Sequence, residues 1–325
     1  MDSFWNKLPK PFFVLAPMAD VTDPAYRRLI SETKNPDVMW TEFVSADGLY
    51  ATREKKKMPD VENPLLRDFQ FSESERPVVA QIFSSKPEMI AYASKLAAEL
   101  GFDGVDLNMG CPDKSIEKQG AGAAMIKTPE LAKEIIAAAR TSGLPVSVKT
   151  RIGYNAVNLE EWLTAILEEK PAALTVHLRT RKEMSKVDAH WELMGNAVEI
   201  RNRVSPDTLI IGNGDVQSIE DGKKKIVDSG ADGVMLGRAI FGNPWLFAGR
   251  ASESLSKEER LAALAQLARY FSELRPAKSY HLLKKHFKAF VSGFDGAAEL
   301  RGKLMETNSY QEFLVLSNSK EYSSV

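Results

Sequence analysis

The sequence predicts an α/β protein, a (β/α)8 barrel followed by a small all-helical domain. Three observations predict it. Eight short apolar runs of strand length recur between residues 12 and 237. Stretches with apolar side chains at helical spacing separate most of them, the rhythm of βαβ units in a parallel sheet. The alternation stops at Trp245–Ala248, and from Ser256 onward the pattern is helical only. Eight strands match a closed barrel. A doubly wound sheet needs fewer strands and usually carries a glycine-rich dinucleotide fingerprint after the first one, and none is present there.

The strands are predicted at Phe12–Met18, Val38–Val44, Val78–Phe83, Gly104–Asn108, Pro145–Thr150, Ala172–His177, Thr208–Gly212 and Gly233–Gly237. Helical stretches lie at Lys86–Leu100, with Pro87 suited to a first turn, and at Pro129–Ser142, Leu159–Glu169 and Ile219–Ser229. The tail has Leu261, Leu264, Leu267, Ala268 and Phe271 at helical spacing within Lys257–Leu274, then Leu282, Leu283, Phe287, Phe290 and Val291 within Tyr280–Val291. Pro276 and the Gly293–Gly296 segment punctuate them. The boundary is therefore set at residue 250, giving a barrel over 1–250 and a helical domain over 251–325. The polar segment Tyr50–Arg76, with Arg53-Glu54-Lys55-Lys56-Lys57, is read as a solvated surface loop.

The 325 residues carry 43 Lys+Arg against 44 Asp+Glu, a net charge of −1, so no global charge demands a nucleic-acid partner and any such contact needs a local basic patch. With 44% hydrophobic and 27% charged residues the composition is that of a soluble globular chain. No run approaches the roughly 18–20 apolar residues of a membrane helix. Met1–Lys7 has neither a basic head nor an apolar core, so no secretory leader is expected. A single cysteine excludes an internal disulfide and fits a reducing, cytoplasmic setting.

Barrels of this kind place their chemistry at the C-terminal ends of the strands. Those ends read Ala16-Pro17-Met18-Ala19-Asp20, Glu42, Gln81, Asp106-Leu107-Asn108-Met109-Gly110-Cys111-Pro112, Lys149-Thr150-Arg151-Ile152-Gly153, His177-Leu178-Arg179-Thr180-Arg181, Gly212-Asn213-Gly214-Asp215 and Gly237-Arg238. Nearly every strand delivers a polar or glycine-rich terminus. Lys149 and Arg151 lie two apart on one strand face, as do Thr175, His177 and Arg179, so cations collect at one mouth and favour an anionic or electron-rich ligand. Glycines after the last two strands allow backbone N–H groups to approach a phosphate. Cys111 sits in a Gly-Cys-Pro loop at a strand end rather than on an apolar helix face, which marks it as functional.

Other polar residues have plainer readings. Asp106 and Asn108 can pair inside the rim, and Lys149 can form a rim salt bridge. His190 and Trp191 serve packing or a lid as readily as a ligand. Glu42 is taken as structural, and His281 and His286 as surface groups of a tail helix. No His/Cys cluster has metal spacing. There is no serine nucleophile elbow and no second cysteine for a redox pair.

Taken in order, Ala16-Pro17-Met18, Gln81, Asp106-Leu107-Asn108-Met109-Gly110-Cys111-Pro112, Gly120-Ala121-Gly122-Ala123, Lys149-Thr150-Arg151-Ile152-Gly153, His177-Leu178-Arg179-Thr180, Gly212-Asn213-Gly214-Asp215 and Gly237-Arg238 resemble the tRNA-dihydrouridine synthases over roughly residues 12–245. The resemblance implies an FMN enzyme, reduced by NADPH (or NADH), that reduces uridine in tRNA to 5,6-dihydrouridine. Cys111 would give the proton to C5 as a general acid. Ala16, Pro17, Met18, Gln81, Lys149, His177, Asn213, Gly214, Asp215, Gly237 and Arg238 would hold the cofactor, while Asn108, Arg151 and Arg179 would face the substrate. The tail would bind tRNA, with Lys278, Lys284, Lys285 and Lys288 as its basic patch, alongside Arg179, Arg181 and Lys182 near the mouth and Lys55–Lys57. No metal, membrane or protein partner is implied. Leu178, and Lys186–Trp191, depart from the family's usual residues. The residues alone leave other readings open: a Schiff-base barrel using Lys149, an RNA-binding module on a decayed barrel, or a flavin barrel acting on free pyrimidines.

Overall fold

The computed structural model describes residues 3–318. Nine parallel strands form the barrel: β1 (Phe12–Leu15), β2 (Met39–Trp40), β3 (Val44–Ser45), β4 (Val78–Phe83), β5 (Gly104–Met109), β6 (Val146–Arg151), β7 (Ala173–His177), β8 (Leu209–Asn213) and β9 (Gly233–Leu236). The order runs β1-β9-β8-β7-β6-β5-β4-β2, with β3 also on β4. A parallel bridge between Val14 and Val38 closes the ring. The predicted run Val38–Val44 is two short pieces, β2 and β3, so they make one stave of an eight-stave barrel. Its middle leaves the ladder at Thr41, whose Oγ1 accepts the Gln81 N–H at 3.0 Å. The other staves begin and end within about three residues of the predicted positions, and helices at Pro87–Glu99, Pro129–Arg140, Leu159–Glu168 and Ile219–Ser229 lie where expected.

The barrel's two ends differ because the residues at strand starts and strand ends differ. Near the N-terminal ends, Phe12, Ala173, Leu209 and Val79 pack with Trp5 and Trp40 into one buried apolar cluster. Trp5 arrives on a short 3-10 helix, Phe4–Lys7, its ring 5.8 Å from Trp40. Water is shut out there. At the C-terminal edge the register rows are polar: Arg151 pairs with His177 and His177 with Asn213, and one step below Asn108 pairs with Lys149. Register alone therefore gathers these side chains in two adjacent layers of one mouth.

Tail helices occupy Lys257–Glu273, Tyr280–Phe290, Ala297–Glu306 and Tyr310–Ser317. The first opens on a capping box, Ser256 with Glu259. They share one apolar cluster with the barrel: Leu264, Leu267, Phe271, Phe287 and Phe290 bury against Tyr26, Leu29 and Ile30 of helix Pro24–Ser31 and against Leu15 and Leu236. The tail is thus cemented to the first and last staves.

Three expectations are corrected here. Tyr50–Arg76 is no solvated loop: it holds helical turns, and Asn63, Leu66, Arg67, Phe69 and Glu75 are buried. Glu75 pairs with the buried Arg27 at 2.8 Å, and Arg67 and Gln70 donate to the carbonyls of Ala277 (3.3 Å) and Arg275 (2.7 Å). Charge in that segment does not mean solvation, since part of it docks the tail. His286 is buried against Tyr26 and Phe290 rather than on the surface, and burial pushes its imidazole down to about 4. Lys278 precedes helix Tyr280–Phe290 and is not part of an exposed basic patch. Its side chain is 3% exposed, with Nζ 2.7 Å from Glu42 and 3.7 Å from both Asp23 and Asp68.

Candidate active site

Two confluent cavities, of about 250 and 180 Å³, open at the C-terminal mouth and share Pro17, Met18, Lys149 and His177. The first runs out over β8 and β9 and is lined by Ala16, Arg179, Asn213, Gly214, Asp215, Gly237 and Arg238. The second lies over β4–β6 and is lined by Gln81, Asn108, Cys111 and Arg151. Every site residue expected from the sequence lines one or the other. Arg179 is the one whose neighbourhood differs: it lines the first cavity, away from Cys111.

The first cavity is built of donors. The Asp215 carboxylate is bound by both Arg179 and Arg238 and accepts the Ala189 N–H at 2.9 Å. Burial pushes its pKa up, but the Arg179 and Ala189 hydrogen bonds hold it below the usual carboxylate range. The only carboxylate lining this cavity is therefore neutralised twice over, leaving net positive charge. Gly214 takes φ +127°, and a Cβ there would meet Ala189 at 2.7 Å, so glycine is required. Trp191 explains Gly212: its ring fills the space a Cβ would need, at 2.5 Å, and its indole N–H donates to the Gly214 carbonyl at 2.7 Å. Trp191 is thus a packing residue. His190 lies between Glu183 (3.0 Å) and Glu192 (3.1 Å).

Between the cavities, Lys149 donates to Asn213 Oδ1 at 3.2 Å, and Asn213 Nδ2 donates to the Met235 carbonyl at 2.9 Å, which fixes that amide's orientation. Burial first, then Arg151, brings Lys149 down to about 8. His177 is held well below its ordinary value by burial and by the surrounding cations, so it is neutral at pH 7. Its Nε2 lies 3.1 Å from Arg179 Nη1. Arginine can only donate, so Nε2 is the acceptor and the proton resides on Nδ1. A cradle of cations, a neutral imidazole and glycines at the ends of β8 and β9 fits an electron-rich ring with an anionic end, and the residues present suit a flavin nucleotide.

In the second cavity the chain invests in one thiol. Cys111 is half-buried. Asn108 Oδ1 accepts the N–H groups of Gly110 at 3.2 Å and Cys111 at 2.9 Å. Arg151, buried in β6, donates from Nε to the Gly110 carbonyl at 2.7 Å and from Nη1 to the carbonyls of Thr180 (3.2 Å) and Met184 (2.9 Å). Beneath the loop, Ala123 N–H donates to the Cys111 carbonyl at 2.8 Å. Gly122 sits under the same carbonyl with φ +61°, where a Cβ would come within 2.6 Å of the oxygen. Gly122→Ala is therefore expected to cost about 1–3 kcal/mol, read as a lowered urea midpoint. An unchanged midpoint would show that the turn yields freely. Burial pushes the Cys111 thiol up, opposed by the Asp113 amide and by the charges of Arg151 and Lys149. The group is a protonated thiol at neutral pH.

Sequence reasoning missed Phe43, which lines the Cys111 cavity from the gap between β2 and β3; the only signal was its place next to Glu42. Among the described residues no cluster of His, Cys, Asp and Glu is arranged to hold a metal ion, and no helix is long and apolar enough to cross a membrane.

Comparison with known proteins places the chain in a family. The dihydrouridine synthase (Dus) family model matches residues 14–324. The probable tRNA-dihydrouridine synthase 2 of Bacillus subtilis (strain 168) is 44% identical, over 98% of this chain and 97% of the relative. The probable tRNA-dihydrouridine synthase of Staphylococcus aureus (strain COL) is 42% identical, over 98% and 96%. Among solved structures, histamine dehydrogenase from Rhizobium sp. 4-9 superposes with a TM-score of 0.51 at 13% identity, covering 79% of this chain and 48% of that one, a likeness of fold. A family match along nearly the whole chain, and a barrel mouth that assembles the family-like segments around one thiol, make this protein a member of the dihydrouridine synthase family.

Proposed function

We propose that this enzyme reduces uridine in tRNA to 5,6-dihydrouridine, with FMN across the two cavities and NADPH (or NADH) as the source of electrons. The observation that carries it is the continuity between a cationic cavity suited to a flavin phosphate and a second cavity holding a protonated thiol. Held there, reduced flavin would supply the hydride for C6 of the uracil. Asn213, Gly214, Asp215, Gly237 and Arg238 would hold the phosphate end, and Arg179, paired with Asp215, belongs with them rather than with the uracil. Ala16, Pro17 and Met18 would offer backbone contacts, and Gln81, Lys149 and His177 hydrogen bonds to the ring system. Hydride addition places negative charge on the uracil. Lys149 and Arg151, which line the same cavity as Cys111, would stabilise that charge, and the Cys111 thiol would deliver the proton to C5. The Asn108 and Arg151 polar groups are largely engaged in holding the Cys111 loop, so their part is to present the acid as much as to touch the base.

The helical tail, residues 251–325, is proposed to bind the tRNA, and the enzyme to act in the cytoplasm. Exposed Lys288 on helix Tyr280–Phe290, Lys182 and Lys186 near the mouth, and Lys55–Lys57 are offered for phosphate contacts, while Lys284 donates to the Met305 carbonyl at 2.7 Å. Lys278 is buried, Arg181 is taken up by Glu117, and Lys285 pairs with Asp20 at 2.8 Å. The test is mass-spectrometric mapping of dihydrouridine in unmodified tRNA incubated with the FMN-loaded enzyme and NADPH. New dihydrouridine at defined positions is expected; protein that cannot be reconstituted with FMN, or tRNA that stays unmodified, overturns the reading.

A further inference from the structure

Below the rim, a buried carboxylate lies at the root of the hydrogen bonds that present Cys111. Asp106, on β5, is fully buried. Its Oδ1 accepts from Ser147 Oγ at 2.6 Å and its Oδ2 from Gln81 Nε2 at 2.6 Å. Gln81 Oε1 accepts from Asn108 Nδ2 at 3.1 Å. Asn108 Oδ1, in turn, accepts both N–H groups of the Gly110–Cys111 turn. An ionised carboxylate has no proton to donate. It therefore compels Gln81 to turn its nitrogen inward and its oxygen toward Asn108. Asn108 must answer with its nitrogen, which leaves its oxygen facing the loop. Reversing Gln81 would set its oxygen against the carboxylate and donor against donor at Asn108, and reversing Asn108 would set its donor against the two loop N–H groups and lose the bonds to the Cys111 turn.

We propose that Asp106 is a positioning residue for Cys111, which sets the orientation of the Gln81 and Asn108 amides and through them the backbone turn that carries the thiol. This deepens the reading of Cys111 as the proton donor and rests on it. Burial pushes Asp106 up to about 6, against the pull of Ser147 and Gln81, so it is mostly ionised at neutral pH, as an acceptor-only anchor must be.

Cys111 is the only cysteine in the chain, so its alkylation by iodoacetamide reports the turn directly and needs no tRNA. The experiment measures that rate on FMN-loaded protein across the pH range in which a thiol ionises. Asp106→Leu, which can accept nothing, is expected to change the neutral-pH rate about tenfold and to bring the thiol's titration toward the ordinary value of about 8.5. Asp106→Asn is expected to behave as wild type, because its amide can still offer oxygen to Gln81 and nitrogen to Ser147. Gln81→Met breaks the next link and is expected to match Asp106→Leu, with little further change when the two are combined. It carries the same test should Asp106→Leu fail to fold. Wild-type alkylation in both Asp106→Leu and Gln81→Met, or an Asp106→Asn protein as perturbed as Asp106→Leu, overturns the proposal. Failure of wild-type enzyme to form dihydrouridine would instead strike the functional reading, and the alkylation comparison would still decide the geometry.

Discussion

Replacing Cys111 by alanine is expected to lower dihydrouridine formation by about 10²–10⁴-fold, the usual contribution of a positioned general acid, while FMN binding and its bleaching by NADPH persist. The split follows from the geometry. Cys111 lines the second cavity only, and the cationic groups of the first are untouched by the substitution. The turn itself is held by backbone atoms, through Asn108, Arg151 and Ala123, so removing one sulfur leaves it standing. Burial raises the thiol pKa. Wild-type turnover should therefore hold through neutral pH and fall only in the alkaline range, as the donor loses its proton. Single-turnover reduction of tRNA by pre-reduced enzyme, with dihydrouridine counted by mass spectrometry, separates this step from cofactor reduction. An alanine variant that modifies tRNA at the wild-type rate would remove Cys111 from the chemistry.

Lys278→Met is expected to destabilise the protein by about 3–5 kcal/mol, the cost of stranding buried charge without its partner. Its ammonium is the cation at the centre of Asp20, Asp23, Glu42 and Asp68, all within 3.9 Å. The four carboxylates come from the loops after β1 and β2 and from the segment before β4, while the lysine comes from the tail, so the cluster ties tail to barrel. Burial pushes Glu42 up from its ordinary 4.5 to about 7, with Lys278 opposing. The sign of the pH dependence follows. A carboxyl whose folded pKa is raised adds stability that is full below the unfolded value and is lost as pH rises through the folded one. Glu42 thus adds stability below about 4.5 that fades toward pH 7. Without Lys278 its carboxylate is harder still to ionise, so the deficit of the variant should widen between about pH 5 and 8. Urea midpoints at the two pH values measure this. A loss within about 0.5 kcal/mol, flat with pH, would class the lysine with ordinary surface residues.

The legible and illegible parts of the molecule divide along physical lines. Strands buried on both faces appear as continuous apolar runs, so their sequence delimits β4 to the residue and β5–β9 to within one or two. Val38–Val44 reads as one strand although Thr41–Phe43 leave the ladder for a bond to the neighbouring strand, since no local pattern signals the break. Helix Met194–Val204 is not legible in the sequence, because its Arg- and Asn-containing stretch, MGNAVEIRNRV, has a weak apolar stripe. Charge misled most. Arg67, Glu75 and Lys278 read as solvent-facing and are buried, since a charge can enter the interior once a distant partner meets it.

Sequence by itself determined the barrel, the helical tail and the set of residues at the mouth, because period-2 and period-3.6 patterns are local and strand ends must face one way in a parallel barrel. Only the tertiary structure decided how those residues are used: that Asp215 is shared by two arginines, that the Asn108 amide is spent on the Cys111 turn, and that Lys278 fastens the tail instead of reaching for RNA. Those facts depend on which side chains meet across strands and loops remote in the chain, and hydrogen-bond direction and desolvation are set by that meeting alone.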